Sequence, residues 1–356
     1  MTHSIETTVL RVHPERPEPE KIKIAARVIR NGGLVAFPTE TVYGLGANAL
    51  DDQAVLKIFE AKKRPADNPL IVHIAGNEDI HLLTERLPEK AEALMNKFWP
   101  GPLTLLAPKS ELVPNATTAG LATVAIRMPS HPVARALIAE ADVPIAAPSA
   151  NLAGKPSPTT AKHVLDDLSG RIDMVIDGGA VGFGVESTVL DITVDPPTIL
   201  RPGPITKEQL ERILGRIEVH PVAKAETLAE TIVARAPGMK YRHYAPKADL
   251  VVVEGPPEKV VEKIRELADG RKREGKRVGI MVTKETADRY RADAVKVVGT
   301  RRNPRTIAKS LFKTLREFDE SGFDVVFVEG IEPTGLGLAI MNRLRKAAGH
   351  NIVRIS

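Results

Sequence analysis

The sequence predicts an α/β protein in two parts, on three observations. Short apolar runs alternate with amphipathic stretches along the whole chain. Its 356 residues exceed what one hydrophobic core ordinarily organises, roughly 250–300, so two domains are expected. From Leu250 the runs become nearly all-apolar and regularly separated by helical stretches, the pattern of a parallel sheet covered on both faces.

The elements follow in order. Lys21–Asn31 reads as a helix stopped by Gly32-Gly33, and Leu34–Pro38 as a buried strand. Asp51–Ala61 is a short helix, Leu70–Ile74 a strand, and Leu87–Phe98 a helix that ends at the turn Trp99-Pro-Gly-Pro102. Strands are expected at Leu103–Ala107, Val124–Arg127, Ile145–Ala147, Met174–Asp177, Thr188–Asp191 and Thr198–Arg201. Helices are expected at Pro132–Glu140, Ala161–Leu168 and Lys207–Leu214. The later part has strands at Leu250–Val253, Val278–Val282, Val295–Val298 and Val325–Val328. Its helices fall at Pro257–Glu274, Lys284–Tyr290, Pro304–Glu320 and Leu338–Ala348, which reads as a small Rossmann-like parallel domain. The expected division is 1–218 for the first domain, 219–247 for a linker and 248–356 for the second. Between its prolines the linker holds Lys240-Tyr-Arg-His-Tyr244, which is unlike a Gly/Ser-rich tether and suits a segment that docks.

Composition narrows the function. There is no cysteine, which excludes disulfides, thiolate catalysis and cysteine-ligated zinc. No apolar run of ~18 residues is present and the N-terminus lacks the apolar core of a signal peptide, so a soluble, cytoplasmic protein with no membrane contact is expected. A net charge of +5 is too mild to announce nucleic acid. Two glutamines and 27% charged residues fit a hot habitat weakly. No P-loop, nucleophile elbow or metal-ligand spacing occurs, so chemistry here rests on binding and charge neutralisation, without a protein-held metal.

The motifs that remain supply hydroxyls, amides and cations. Phe37-Pro-Thr-Glu-Thr-Val-Tyr-Gly-Leu-Gly46 reads as a turn ending in two glycines. Lys62, Lys63 and Arg64 precede Pro65 and are expected to leave the helix extended, with Lys62 and Arg64 converging on one anion; the bland alternative is a solvated cluster at a helix C-terminus. His73 shares a strand face with Ile71, opposite Leu70, Val72 and Ile74, a position more often structural than functional. Arg127 ends a strand, where it can grip a carboxylate bidentately or form a surface ion pair. Ser149, Asn151, Ser187 and Arg201 follow or end strands, where α/β sheets place ligands, although the same residue types also make ordinary turns.

Taken together, Pro38-Thr-Glu-Thr-Val-Tyr-Gly-Leu-Gly46, Lys62-Lys-Arg-Pro65, Asn68-Pro-Leu70, Pro100-Gly-Pro-Leu-Thr104, Ile126-Arg-Met-Pro129, Pro148-Ser-Ala-Asn151, Glu186-Ser-Thr188 and Leu200-Arg-Pro-Gly203 resemble the YrdC-like family of threonylcarbamoyl-AMP synthases over about Lys21 to Gly215. The linker and second domain resemble that family's long form. The resemblance implies a twisted open α/β sheet and a nucleotidyltransferase of tRNA processing. L-Threonine, bicarbonate and ATP would give threonylcarbamoyl-AMP and pyrophosphate, with Mg2+ held mainly through ATP phosphates. It implies Thr41, His73, Arg127 and Ser187 for threonine, and Lys62, Arg64, Asn68, Ser149, Asn151 and Arg201 for ATP and bicarbonate. The product would pass to a downstream tRNA-threonylcarbamoyl transferase machinery. Tyr241, His243 and Tyr244 are expected to close the pocket as a lid that excludes water.

Two rivals stand beside this reading. Between Ala294 and Arg316 there are seven basic residues and no acidic one. Arg305, Lys309 and Lys313, with Arg316 nearby, form a stripe that could contact tRNA phosphates, or simply a solvated helix face. The second rival keeps the pocket and changes the amino-acid acceptor.

Overall fold

Period-two alternation builds the first part of the chain. In the computed structural model, which describes residues 5–225, 235–236, 239 and 244–356, the described residues divide into two compact units. The first gathers 5–153, 157–223, 235–236 and 239; the second gathers 154–156, 224–225 and 244–356.

The strands of the first unit are β1 (Thr8–Arg11), β2 (Val35–Pro38), β3 (Tyr43–Asn48), β4 (Ile71–His73), β5 (Leu103–Pro108), β6 (Thr123–Arg127), β7 (Ile145–Ala146), β8 (Met174–Asp177), β9 (Thr188–Asp191), β10 (Thr198–Arg201) and β11 (Glu218–Val219). They form one mixed sheet in the order β1-β8-β2-β3-β7-β4-β6-β5-β9-β10-β11. One face carries Leu45, Val72, Leu105, Ile126, Leu190 and Ile199. It packs on Ala54 and Ile58 of the helix Asp52–Lys62, Leu94 of Lys90–Phe98, Val164 of Ala161–Leu168 and Leu210 of Lys207–Leu214.

The opposite face is treated differently in its two halves. Over β8, β2 and β7 it is covered by the helices Pro19–Arg30 and Pro132–Ala141. Both start with Pro at N1, where the missing N–H costs nothing, and the first places Ile22, Ala25, Ala26 and Ile29 on one stripe. Over β4, β6, β5, β9 and β10 the face carries Ile71, Ala125, Leu106, Val189 and Leu200, packed only by Val222, Ala236 and Met239 among the described residues. By alternation, His73, Arg127, Thr104 and Ser187 point to this same half-face.

The second unit contains β12 (Asp249–Glu254), β13 (Val278–Thr283), β14 (Ala294–Gly299), β15 (Val325–Glu329) and β16 (Ile352–Arg354), all parallel, in the order β14-β13-β15-β12-β16. The helices Pro257–Arg273, Pro304–Ser321 and Leu336–Ala347 connect them. At the strand ends, the buried carboxylate of Glu329 accepts hydrogen bonds from Thr283 N (2.9 Å), Thr283 Oγ1 (2.9 Å), Thr286 Oγ1 (2.6 Å), Tyr290 Oη (2.6 Å) and Arg301 Nη2 (3.3 Å).

Three expectations change. Residues 37–46 do not end in a glycine turn: Tyr43–Asn48 is a strand paired antiparallel with β2, and the turn lies at Thr39–Val42. Gly46 is there because neighbours crowd it; a Cβ would lie 2.7 Å from both Ile145 Cγ2 and Phe37 Cε1. Lys62 to Arg64 is not extended: Lys62 closes its helix and Lys63 takes the left-handed C-cap conformation at φ 50°. Pro65 constrains only Arg64 directly, so the helix continues one residue further than expected, through Lys62. Lys284–Tyr290 is not a full helix but a single 3-10 turn at Ala287–Arg289. The edge strands β1, β11 and β16 carry too little apolar signal to stand out.

Candidate active site

Five neighbouring strands supply the centre of the site. The parallel register of β4 and β6 sets His73 beside Arg127. Arg127 is buried; its Nη2 lies 2.7 Å from Glu40 Oε1 and its Nε donates to Gly101 O at 3.4 Å. The other Glu40 oxygen accepts Ser130 N at 3.2 Å. Next door, Ser187 Oγ lies 2.8 Å from Thr104 Oγ1 and accepts Arg201 Nη2 at 3.0 Å, while Arg201 Nε donates to Ser187 O at 3.0 Å.

The Thr39–Val42 turn borders this centre. Thr39 Oγ1 donates to Val42 O at 2.6 Å and lies 2.8 Å from Thr41 Oγ1, so the fully buried Thr41 is fixed in its rotamer by the turn itself. The carbonyls of Glu40 and Thr41 accept Phe183 N and Gly184 N, which ties the turn to the Gly-rich loop before Ser187. Phe37 meets His73 edge to face, with centroids 6.5 Å apart.

Burial, then the neighbouring positive charges of Arg127 and Arg201, hold the His73 imidazole down to about 3. It is therefore neutral at physiological pH, and its buried Nδ1 has no hydrogen-bond partner among the described residues. A neutral ring between two arginines is a hydrogen-bonding group, not a base.

A second group lies at the β3–β7 side. Lys62, buried at the helix end, donates Nζ to the carbonyls of Ser149 and Asn151, the latter at 2.5 Å. Ser149 in turn bridges Gly44, three residues after Thr41. A third group leads into β4: Arg64 Nη2 donates to Asn68 O at 3.0 Å and Pro69 O at 3.1 Å, and Asn68 is buried with Oδ1 unpartnered among the described residues. The structure thus unites Thr41, His73, Arg127, Ser187 and Arg201, joins Lys62 to Ser149 and Asn151, and joins Arg64 to Asn68. Lys62 donates to the 149–151 loop and Arg64 to Asn68 and Pro69, from a helix end and not from the extended chain that was expected.

Sequence reasoning passed over Glu40 and Thr104. Both lie inside quoted motifs, and a carboxylate two residues from a buried strand was the available signal for Glu40. Of the expected lid, Tyr241 and His243 lie outside the described residues. Tyr244 is buried in the second unit at φ 64°, its ring 5.0 Å from Phe312 and 5.9 Å from the Arg343 guanidinium. Earlier in the linker, Arg235 Nη2 pairs with the buried Asp191 carboxylate at 2.6 Å, beside Ala236 and Met239 on the site-bearing half-face. Arg305, Lys309 and Lys313 are exposed, but Arg316 is buried and leaves that stripe.

A mixed α/β sheet with one half-face lined by buried arginines, hydroxyls and a neutral imidazole defines an enzyme for small anionic substrates. A model of the Sua5/YciO/YrdC family, described as telomere recombination, matches residues 27–203. A second, described as threonylcarbamoyl-AMP synthase, C-terminal domain, matches residues 205–349. The chain is 55% identical over 341 residues to the threonylcarbamoyl-AMP synthase of Pyrococcus abyssi, covering 96% of this chain and 98% of that protein. It is 53% identical over 335 residues to the Bacillus subtilis threonylcarbamoyl-AMP synthase, covering 94% of each. The crystal structure of P. abyssi Sua5 complexed with L-threonine superposes with a TM-score of 0.93 at 54% identity, covering 98% of this chain and 100% of that one. The chain belongs to the Sua5/YciO/YrdC family, in its two-domain form.

Proposed function

We infer that this chain synthesises L-threonylcarbamoyl-AMP from L-threonine, bicarbonate and ATP with release of pyrophosphate, the first step of tRNA threonylcarbamoyladenosine modification. One observation carries the reading: Arg127 and Arg201 flank the neutral His73 on the half-face left open by the helices, in a chain alike over 98% of its length to a protein crystallised with L-threonine.

The chemistry needs that charge. The neutral amine of threonine adds to bicarbonate carbon and water leaves, giving a carbamate. The carbamate oxygen then attacks the α-phosphorus of ATP and pyrophosphate departs. Two anions meet, and fixed cations lower that cost without reorganising. In this reading Arg127 takes the threonine carboxylate, Thr41 and Ser187 offer hydroxyls, and His73 offers its free nitrogen. Arg201, Arg64, Asn68, Ser149 and Asn151 face ATP and bicarbonate. Lys62 shapes the nucleotide loop through the two carbonyls it holds and adds its charge beneath them.

Among the described residues no group of three or more His, Cys, Asp or Glu side chains is placed to hold a metal. Magnesium is proposed to arrive on the ATP phosphates as part of the substrate. Both carbamate and acyl-adenylate hydrolyse, so the linker segment pinned at Arg235 and Met239 is proposed to exclude water, with Tyr241 and His243 of the expected lid and without Tyr244, which is buried in the second unit. The product would be consumed by a transferase acting on tRNA. Arg305, Lys309 and Lys313 would at most add a salt-sensitive contact to that RNA.

Incubation with labelled bicarbonate, ATP and single amino acids, followed by mass analysis, tests the reading. A threonine-dependent carbamoyl-adenylate with stoichiometric pyrophosphate is expected. No such product sinks it; equal product from serine moves it to another acceptor.

A further inference from the structure

We propose that Glu40 is a positioning residue that decides how Arg127 meets the substrate. The proposal rests on Arg127 being the carboxylate grip.

Arginine offers two edges to a carboxylate, one formed by Nε and Nη2 and the other by Nη1 and Nη2. In this protein the first edge is engaged from within: Nε donates to Gly101 O at 3.4 Å, and Nη2 forms an ion pair with Glu40 Oε1 at 2.7 Å that lacks hydrogen-bond alignment. Nη1 meets no hydrogen-bond partner among the described residues, so the end edge is the one left for a ligand. A two-point grip on a carboxylate would then run through the end edge and not side-on through Nε. Glu40 is itself immobilised. Its second oxygen holds Ser130 N at 3.2 Å, and its backbone carbonyl holds Phe183 N at 2.9 Å. The residue after it is Thr41. One carboxylate therefore fixes the spacing between a hydroxyl-bearing turn and a guanidinium on β6, two groups expected to touch different parts of one amino acid. With both charges nearly excluded from water, the pair has a defined geometry that an exposed pair lacks.

Glu40→Ala should release Arg127 to other acceptors and raise KM for threonine about tenfold or more, as expected when one partner of a buried ion pair is removed. The turnover number at saturating threonine should change far less, and KM for ATP should stay within about twofold. Glu40→Gln, which keeps an acceptor for Arg127 but cannot also accept Ser130 N in the same way, should recover part of the loss. Binding of L-threonine by calorimetry to the intact protein, with a thermal melt of each variant, separates positioning from unfolding. Arg127→Lys serves as the control for the underlying reading. If Arg127→Lys leaves threonine binding unchanged, the carboxylate grip itself is wrong. If Arg127→Lys weakens binding while folded Glu40→Ala and Glu40→Gln bind threonine as the parent does, or more tightly, the Glu40 proposal alone is overturned.

Discussion

Two buried polar clusters in this molecule make an instructive pair. In the second unit, Glu329 sits at the ends of parallel strands, a position where ligands often bind, yet five protein donors satisfy it. In the first unit, His73, Arg127, Ser187 and Arg201 also sit at strand ends, but Nδ1 of His73 and Oδ1 of nearby Asn68 lack partners among the described residues. Buried polar groups are ordinarily paired, so a closed network argues for architecture and an open one for a missing ligand. Strand-end location alone does not separate them; hydrogen-bond satisfaction does.

If that distinction holds, substitutions in the two clusters should fail in different ways. The largest expected effect is beside the open cluster, in the Lys62 group that leads to it. Lys62→Met keeps the length and apolar stem but leaves the carbonyls of Ser149 and Asn151 without their ammonium. KM for ATP should rise about 100-fold while threonine binding stays close to normal, measured by initial rates with each substrate varied. A comparable loss for both substrates would mean that the second group of residues is not a separate nucleotide subsite.

Glu329→Ala should do the reverse. Removing the carboxylate strands Arg301 and the hydroxyls of Tyr290 and Thr286, and the cost should be about 3 kcal/mol in urea unfolding. Burial, then the hydrogen bond to Glu329, raises the Tyr290 phenol well above its ordinary range, so it remains a donor in this cluster. Kinetic constants of the folded fraction should be unchanged. A folded variant with altered KM would place the second cluster in function and break the comparison.

The open cluster also has a pH signature. His73 binds its proton only near pH 3 in the folded protein, whereas an unfolded histidine does so near 6.5. Between those values the unfolded chain holds the extra proton, so stability rises with pH and is lost as pH falls from 6.5 toward 3. His73→Gln should flatten that acid arm by up to one proton, about 1.4 kcal/mol per pH unit. Identical acid slopes in denaturant titrations of parent and variant would show that His73 is not held neutral. The same neutrality predicts no inflection from this residue near pH 6.5 in kcat/KM.

Much of this was legible in the chain. The βα alternation after Leu250 gave the parallel sheet because strands buried on both faces are apolar throughout. The alternation Leu70-Ile-Val-His-Ile74 assigned His73 to the face with Ile71, which is the half-face found. What failed was local geometry under tertiary control. Gly44 and Gly46 looked like turn residues, but they are strand residues pressed against Ile145, Ala147 and Phe37, neighbours that pattern cannot name. Lys62 and Arg64 were expected to converge because Pro65 suggested an extended chain; the helix persists through Lys62 and ends at a left-handed Lys63. Glu40 escaped notice because its partner lies 87 residues away, and a carboxylate beside a turn carries no sign of which guanidinium it will meet.

The smallest effect is expected within the linker. Arg235 pairs with Asp191 at 2.6 Å; the arginine side chain is 39% exposed and its carboxylate partner is buried, so solvent screens the pair only from one side. Thr193 N at 3.0 Å and Thr193 Oγ1 at 2.6 Å both hold Asp191 Oδ1, whereas the arginine faces the buried Oδ2. Arg235→Ala should lower the melting temperature by a few degrees and leave both KM values almost unchanged. Its mark should be in coupling: if the segment carrying Ala236 and Met239 keeps water from the half-face, loosening one anchor should raise the ATP consumed per threonylcarbamoyl-AMP by up to about twofold. Met239→Ser, which weakens the apolar anchor beside it, should push the ratio further in the same direction. A ratio unchanged in both variants, measured by pyrophosphate release against product mass, would mean that this stretch covers the sheet for packing alone and that water is excluded by other groups.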